Sequence, residues 1–207
     1  MITINNLSLA FDNKIIFDNY SYTFELGKIY CIQGQSGCGK TTLLRVINGL
    51  LPPDKGSVLY NNIPVTKQKQ IFMMHQSYCN FPWKTALENV LLPLKIQNKI
   101  TPAHISMAKL MLNSVELYQC ENMYPYEFSG GMNQRLALAR VLITQPKVIL
   151  MDEPLSALDP FTRTAMQDLI IQLHRLTQNT IIMVTHDPNE AQRMADIFIN
   201  LNLRKEA

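Results

Sequence analysis

No stretch of this chain is long and apolar enough to cross a bilayer. Its longest apolar runs, in "KVILM" and "TIIMV", have the length of strands, far short of the roughly 20 residues a membrane-spanning helix needs. The beginning, "MITINNLSLAF", has no charged segment leading into an apolar one, so a secretory signal is not expected. Charge of one sign is scarce. Lys plus Arg total 19 and Asp plus Glu 16, for a net charge of +3, and no basic stripe forms, so nucleic acid is not expected as a partner. Four cysteines, Cys31, Cys38, Cys79 and Cys120, stand at no metal-ligand spacing, which favours reduced thiols over a metal site or a disulfide framework. Internal repeats and low-complexity segments are also missing. What remains is a chain of 207 residues, 47% apolar, enough for one domain, with or without a subdomain, around a sizeable core.

The first third reads as short strands ("TINNLSLAF", "KIIF", "SYTFEL", "KIYCIQG"), rich in β-branched and aromatic residues. A helix from about Gly39 to Leu50 is closed by Pro52 and Pro53, which cannot continue it. "GSVLYNN" and "QIFMMHQ" are further strand candidates. The middle turns helical: "TALENVLLPLKI", then "AHISMAKLMLNSVEL", where Ile105, Ala108, Leu112 and Val115 share a face. Pro125 breaks the chain before "FSGGMNQRLALAR", which reads as a glycine turn opening a helix. The last third alternates strand and helix. "KVILM" and "TIIMV" are apolar throughout, as strands buried on both faces of a parallel sheet are, and a helix at about 161–177 would be their crossover.

Gly34-x-x-x-x-Gly39-Lys40-Thr41 follows an apolar strand and opens a helix, the context of a phosphate-binding loop. Bare backbone at Gly34, Gly37 and Gly39 lets amide N–H groups turn inward around an anion, and the helix N-terminus adds its positive end. The nucleotide-binding set is therefore Gly34, Ser36, Gly37, Cys38, Gly39, Lys40, Thr41 and Thr42. Lys40 reaches for the β- and γ-phosphates and the Thr41 hydroxyl for Mg²⁺. Cys38 is either a filler or a thiol that nucleotide would shield. In "VILMDEP", Asp152 and Glu153 stand just after a buried strand, where open parallel sheets place their ligands. Asp152 is positioned to hold Mg²⁺, directly or through water, and Glu153 to activate a water as general base. Helix-capping or solvated turn acids are the plainer alternative for this pair.

Taken in order, these segments resemble the ATP-binding subunit of an ABC transporter over nearly the whole chain. "GQSGCGKT" is similar to the Walker A motif, "VILMDEP" to Walker B, and "FSGGM" to the signature, with Ser129, Gly130 and Gly131 intact. "SALD" matches the D-loop, which brings in Asp159; His186 in "VTHD" matches the switch histidine and Gln76 the Q-loop glutamine. Phe11 stands where the family stacks an aromatic on adenine, though it also suits a strand end. The resemblance implies an α/β P-loop ATPase of ABC type, a mixed or parallel core sheet with an antiparallel β subdomain and an inserted helical subdomain. The division implied is about 1–78 and 136–207 for the core and β subdomain, and about 79–135 for the helical one. It also implies ATP and Mg²⁺ as ligands. Thr41, Asp152 and Gln76 hold the metal, with catalysis by Glu153, His186 and Gln76. A head-to-tail homodimer is implied, in which Ser129, Gly130 and Gly131 meet the γ-phosphate held by the partner copy while Asp159 couples the two sites.

Two uses of the energy remain open in the residues. One is import of a small solute by permease subunits at the cytoplasmic face of a membrane, with a solute-binding protein acting indirectly. The other is a non-transport machine for DNA repair or ribosomes. The second usually carries a coiled-coil insertion or two such domains, and neither is present. "HQSYCNFPWKTALENV" and Met132 after the glycines resemble the nitrate, sulfonate and taurine type of importer ATPase. That resemblance puts Phe81, Pro82 and Trp83 beside the permease, though Trp83 also fits the core of the helical subdomain. The solute itself is not encoded in this chain; the subgroup resemblance suggests a small organic or inorganic solute, such as an anion or a thiamine-precursor-like pyrimidine. Only 21 residues follow His186, so no C-terminal regulatory domain is expected.

Overall fold

A computed structural model describes residues 1–12, 14–75, 78–97 and 100–201, with the side chain of Gln97 outside the description. Two compact units emerge. The first joins Met1–Met73, Lys147–Glu153 and the chain from His174 on; the second joins Met74–Pro146 and Pro154–Leu173.

The first unit opens with β1 (Ile2–Phe11) and β2 (Lys14–Phe24). The two strand segments expected before residue 27 are thus one continuous β2. β1 buries Ile2 and Ile4, then Leu7 and Leu9. Strict alternation would turn one of those pairs outward; a register shift between Ile4 and Leu7 and a left-handed Asn6 (φ +48°) keep both on the core side. β4 (Lys55–Tyr60) and β5 (Ile63–Pro64) complete an antiparallel sheet in the order β2-β1-β4-β5. A second sheet has the order β6-β7-β8-β3-β9, from β3 (Ile29–Gln33), β6 (Ile71–Met74), β7 (Val148–Asp152), β8 (Thr180–Val184) and β9 (Ile197–Asn200). Its β7–β8, β8–β3 and β3–β9 ladders are parallel. Every residue of β7 and β8 is buried, as their unbroken apolar runs require. Helix α1 (Lys40–Ile47) puts Leu43, Leu44 and Ile47 into one cluster with Ile2, Phe17, Tyr30, Val148 and Ile182. That cluster holds the start of α1 and the ends of β3 and β7 in fixed positions.

In the second unit, α2 (Ala86–Gln97), α3 (Pro102–Ser114) and α4 (Gly130–Leu142) pack on one another. On α3, Ala108 and Leu112 are buried, as is Val115 beyond its end, whereas Ile105 at its first turn is exposed. The segment "TALENV" has a local explanation. Thr85 N–H donates to Glu88 Oε2 (2.9 Å) and Glu88 N–H to Thr85 Oγ1 (3.3 Å), a reciprocal cap on α2. Asn89, fully buried, accepts from Phe81 N–H (2.8 Å) and donates to the carbonyls of Phe81, Lys84 and Thr85 at 2.9–3.1 Å. One amide thereby shapes the loop that carries Phe81, Pro82 and Trp83. Asn89→Ala is expected to lower the unfolding free energy by about 1–3 kcal/mol, because those backbone groups lose their partner in a partly dry site. Denaturant titration checks this, and a change within about 0.5 kcal/mol, the range of an uninvolved surface position, would contradict it.

Candidate functional site

In the first unit, a cleft of about 390 Å³ is lined by the loop and helix start (Gly34, Ser36, Gly37, Gly39, Lys40, Thr41, Thr42), by Ile16 from β2, and by Glu153 and His186. The loop's shape follows from its glycines. Gly39 has φ +102°, and a Cβ there would lie 2.6 Å from Ile16 Cγ2 and 3.2 Å from Phe17 Cζ. Any larger residue would be strained and would push the loop off β2. No side chain caps α1, so its first N–H groups, which no helix can satisfy internally, are left to an outside acceptor. Lys40 is 8% exposed, and its Nζ donates to Gly34 O (2.8 Å) and Gln35 O (2.9 Å). Among the described residues its charge is held inside the loop by carbonyl dipoles, suited to an anionic ligand.

The sheet brings together residues far apart in sequence. Thr41 Oγ1 donates to Asp152 Oδ1 at 2.9 Å across 111 positions. Among the described residues no group of three or more His, Cys, Asp or Glu could hold a metal. The Thr41–Asp152 pair fits Mg²⁺ instead, which takes one or two protein oxygens and fills its other positions with phosphate and water. Glu153 follows β7 in a left-handed conformation (φ +45°), and its N–H donates to Val184 O at 3.1 Å. A non-glycine residue in that region costs of order 1–3 kcal/mol and persists only where its surroundings impose it. The turn leaves the Glu153 carboxylate in the cleft wall. His186 Nδ1 stands 3.4 Å from Glu153 Oε2, an ion pair only when the ring is protonated. The loop behind His186 is pinned: Thr185 Oγ1 donates to the buried Glu190 (2.5 Å) and accepts from Asp187 N–H (3.1 Å).

In the second unit, Ser129 is the N-cap of α4, its Oγ accepting from Met132 N–H (3.2 Å). Its hydroxyl proton is free to point outward. Ser129 and Gly130 are exposed. A Cβ at Gly131 would meet Thr162 Cγ2 at 2.4 Å, and one at Gly130 the Tyr78 hydroxyl at 3.1 Å. Bare backbone is what lets α5 (Pro160–Thr177) and Tyr78 approach the turn. Asp159 caps α5, Oδ1 accepting from the N–H groups of Phe161 and Thr162, both at 3.1 Å. The Thr162 hydroxyl, with those N–H groups, holds the Asp159 carboxyl below its usual value.

Not every expected site residue reaches the cleft. Phe11 ends β1 and is 45% exposed, but the wall facing the loop from that hairpin is Ile16. Ile16 was missed because one isoleucine in a β-branched strand carries no signal of its own. Cys38 does not line the cleft either. Its Sγ lies against Gly34, 2.7 Å from where a Cβ would stand, and its N–H donates to Gln35 O (3.3 Å). Gln76 lies outside the described residues. Trp83 is 70% exposed, so it is no core residue; Phe81 meets it edge-on at 5.7 Å and Arg140 covers the Phe81 ring at 5.7 Å.

A family model described as ABC transporter matches residues 17–156. The chain is 39% identical, over 209 residues, to the spermidine/putrescine import ATP-binding protein of Nitrosomonas eutropha, covering 98% of this chain and 57% of that protein. It is thus little more than half the length of that relative. An ABC transporter ATP-binding protein of Bacillus subtilis is 44% identical over 181 residues, covering 86% of this chain and 69% of that one. Among solved structures, an ATP-binding cassette dimer in a post-hydrolysis state with ADP and phosphate aligns over 100% of this chain and 97% of its own, with a TM-score of 0.83 and 29% identity.

Proposed function

Since the chain belongs to the ABC transporter family, we propose that it hydrolyses ATP to ADP and phosphate and that two copies drive a membrane importer. The observation that carries this reading is the meeting of the phosphate loop, Glu153 and His186 around one cleft, with Thr41 bonded to Asp152 beside it. The loop and α1 N–H groups hold the β- and γ-phosphates, and Lys40 adds the charge that offsets them. Phe11, with an open face at the hairpin end, stacks on adenine. Glu153 takes the proton from the attacking water as its oxygen bonds to the γ-phosphorus and the bond to ADP breaks. His186 orients the same phosphate by hydrogen bonding and, next to Glu153, keeps that carboxylate aimed. Mg²⁺ held by Thr41, Asp152 and Gln76 would supply neutralisation of the phosphate oxygens.

The Ser129 hydroxyl and the N–H groups at Gly130 and Gly131 of a second copy add donors to the γ-phosphate from the side facing away from the loop, so the working state is a head-to-tail homodimer sandwiching two ATP molecules. Asp159, at the start of α5, couples the two sites. ATP stabilises the closed dimer and hydrolysis releases it. The exposed Phe81–Trp83 loop suits a hydrophobic permease segment, since buried aromatics anchor interfaces. Among the described residues no helix is long and apolar enough to cross a membrane, which fits a peripheral subunit on the cytoplasmic face. "FPWKTALENV" and Met132 favour the nitrate, sulfonate and taurine type, with the cargo selected by the permease and a solute-binding protein.

The test has two parts. Purified chain with MgATP is expected to release phosphate in proportion to enzyme, and chelating Mg²⁺ with EDTA to abolish release. A membrane protein is expected to co-purify from detergent extract. No turnover above buffer, or recovery of DNA or ribosomes in place of a membrane protein, would overturn the reading.

A further inference from the structure

Asn133, one turn into α4, touches two places at once. Its Nδ2 donates to the carbonyls of Pro125 (2.9 Å), Phe128 (3.3 Å) and Ser129 (3.3 Å), the last three supports of the signature turn. Its Oδ1 and its own carbonyl accept from Asn80 Nδ2 at 2.9 Å and 2.8 Å. Among the described residues Asn80 makes no other side-chain bond, its Oδ1 being buried without a partner there. Asn80 leads directly into Phe81, whose ring meets Trp83. Two further contacts run alongside. The Tyr78 hydroxyl stands close over Gly130, and Arg140 donates to the Tyr78 and Cys79 carbonyls at 2.9 Å and 2.6 Å.

We propose that Asn133 is a positioning residue that joins the signature turn to the Trp83 loop through Asn80. Engagement of Ser129 by the partner copy's γ-phosphate then shifts the Trp83 loop. By linkage, whatever binds that loop changes the ease of dimer closure to the same extent. The physical ground is that Asn133 cannot keep all five bonds, four through its side-chain amide and one through its backbone carbonyl, if turn and loop move separately. A shift of the Ser129 carbonyl must either break a bond or carry Asn80 along. The proposal rests on the in-trans role of Ser129 given above. Arg140 grips the same loop about 10 Å farther along the helix, so it anchors the loop without touching the turn.

The chain contains a single tryptophan, so its fluorescence reports this loop alone. In a Glu153→Gln background, MgATP is expected to form the dimer, followed by sedimentation, and to change acrylamide quenching of Trp83. MgADP, which leaves the copies apart, is expected to change neither. Asn80→Ala cuts the loop side of the link. Asn133→Asp keeps an oxygen for Asn80 and removes the donors to the turn. Both are expected to dimerise with MgATP yet lose about half or more of the Trp83 response. A full response in either dimerising variant overturns the proposal, as does a Trp83 change with MgADP or a dimer with a silent Trp83 in the parent background. Failure of the parent to dimerise overturns the in-trans reading first, and this one with it. A response lost in Asn133→Asp with unliganded quenching unchanged supports the link over a mere loss of loop packing.

Discussion

Glu153→Gln is expected to slow ATP turnover by about 10²–10⁴-fold, the range that a general base contributes, while an ATP-bound dimer accumulates. The substitution keeps size, and an amide tolerates the left-handed backbone at this position (φ +45°) as the carboxylate does. What is lost is the group that accepts the proton from water, so closure proceeds and the step that reopens the dimer does not. Phosphate release under single-turnover conditions measures the first effect, and sedimentation with saturating MgATP the second. A variant that stays monomeric, or that turns over within about threefold of the parent, would remove Glu153 from the role assigned to it. His186→Ala offers a comparison, since His186 touches Glu153 Oε2 at 3.4 Å but takes no proton in the scheme. It is expected to reduce turnover without abolishing dimer formation.

Lys40→Ala is expected to weaken MgATP binding by about 100-fold or more, in line with the 2–5 kcal/mol lost when one member of a buried charge pair is removed. Lys40 is 8% exposed, so water cannot replace its charge at the phosphates. Its two bonds to the Gly34 and Gln35 carbonyls also brace the loop, so thermal unfolding of the unliganded variant separates loss of shape from loss of charge. Lys40→Arg tests geometry at constant charge, because a planar fork does not fit the cradle that an ammonium fills. Fluorescent nucleotide titration reads both. Affinity within about threefold of the parent in Lys40→Ala would end the assignment of Lys40 to the phosphates.

Much of the fold was legible because it rests on local pattern. Apolar runs without alternation in β7 and β8 announced strands buried on both faces, and every one of their residues is buried. The turn before α4 was legible from Pro125 and the paired glycines. Less legible were features that depend on a partner far away in sequence. Asn6 breaks the alternation of β1, and only pairing with β2 and β4 explains why that break keeps Leu7 and Leu9 inside. Ile105 shares a helical face with Ala108 and Leu112, yet it is exposed where they are buried, since a shared face does not say how much of it a neighbour covers. Asn80, Asn89 and Asn133 are three polar residues with no periodicity. Their importance arises from backbone groups of other loops that need donors and acceptors, which a linear pattern does not display.

The sequence by itself determined the chemistry of the phosphate loop. Gly34 to Thr42 are contiguous, and backbone freedom at glycine plus the start of a helix decide their shape within a few residues. It also determined that Asp152 and Glu153 end a buried strand. Only the tertiary structure decided that Asp152 meets Thr41 and that Glu153 meets His186. Those contacts exist because parallel strands from distant parts of the chain pack side by side, and their register is set by burial of the core. The amide bridge from Ser129 to Asn80 is of the same kind, a consequence of where helix and loop stop moving once the apolar surfaces between them are closed.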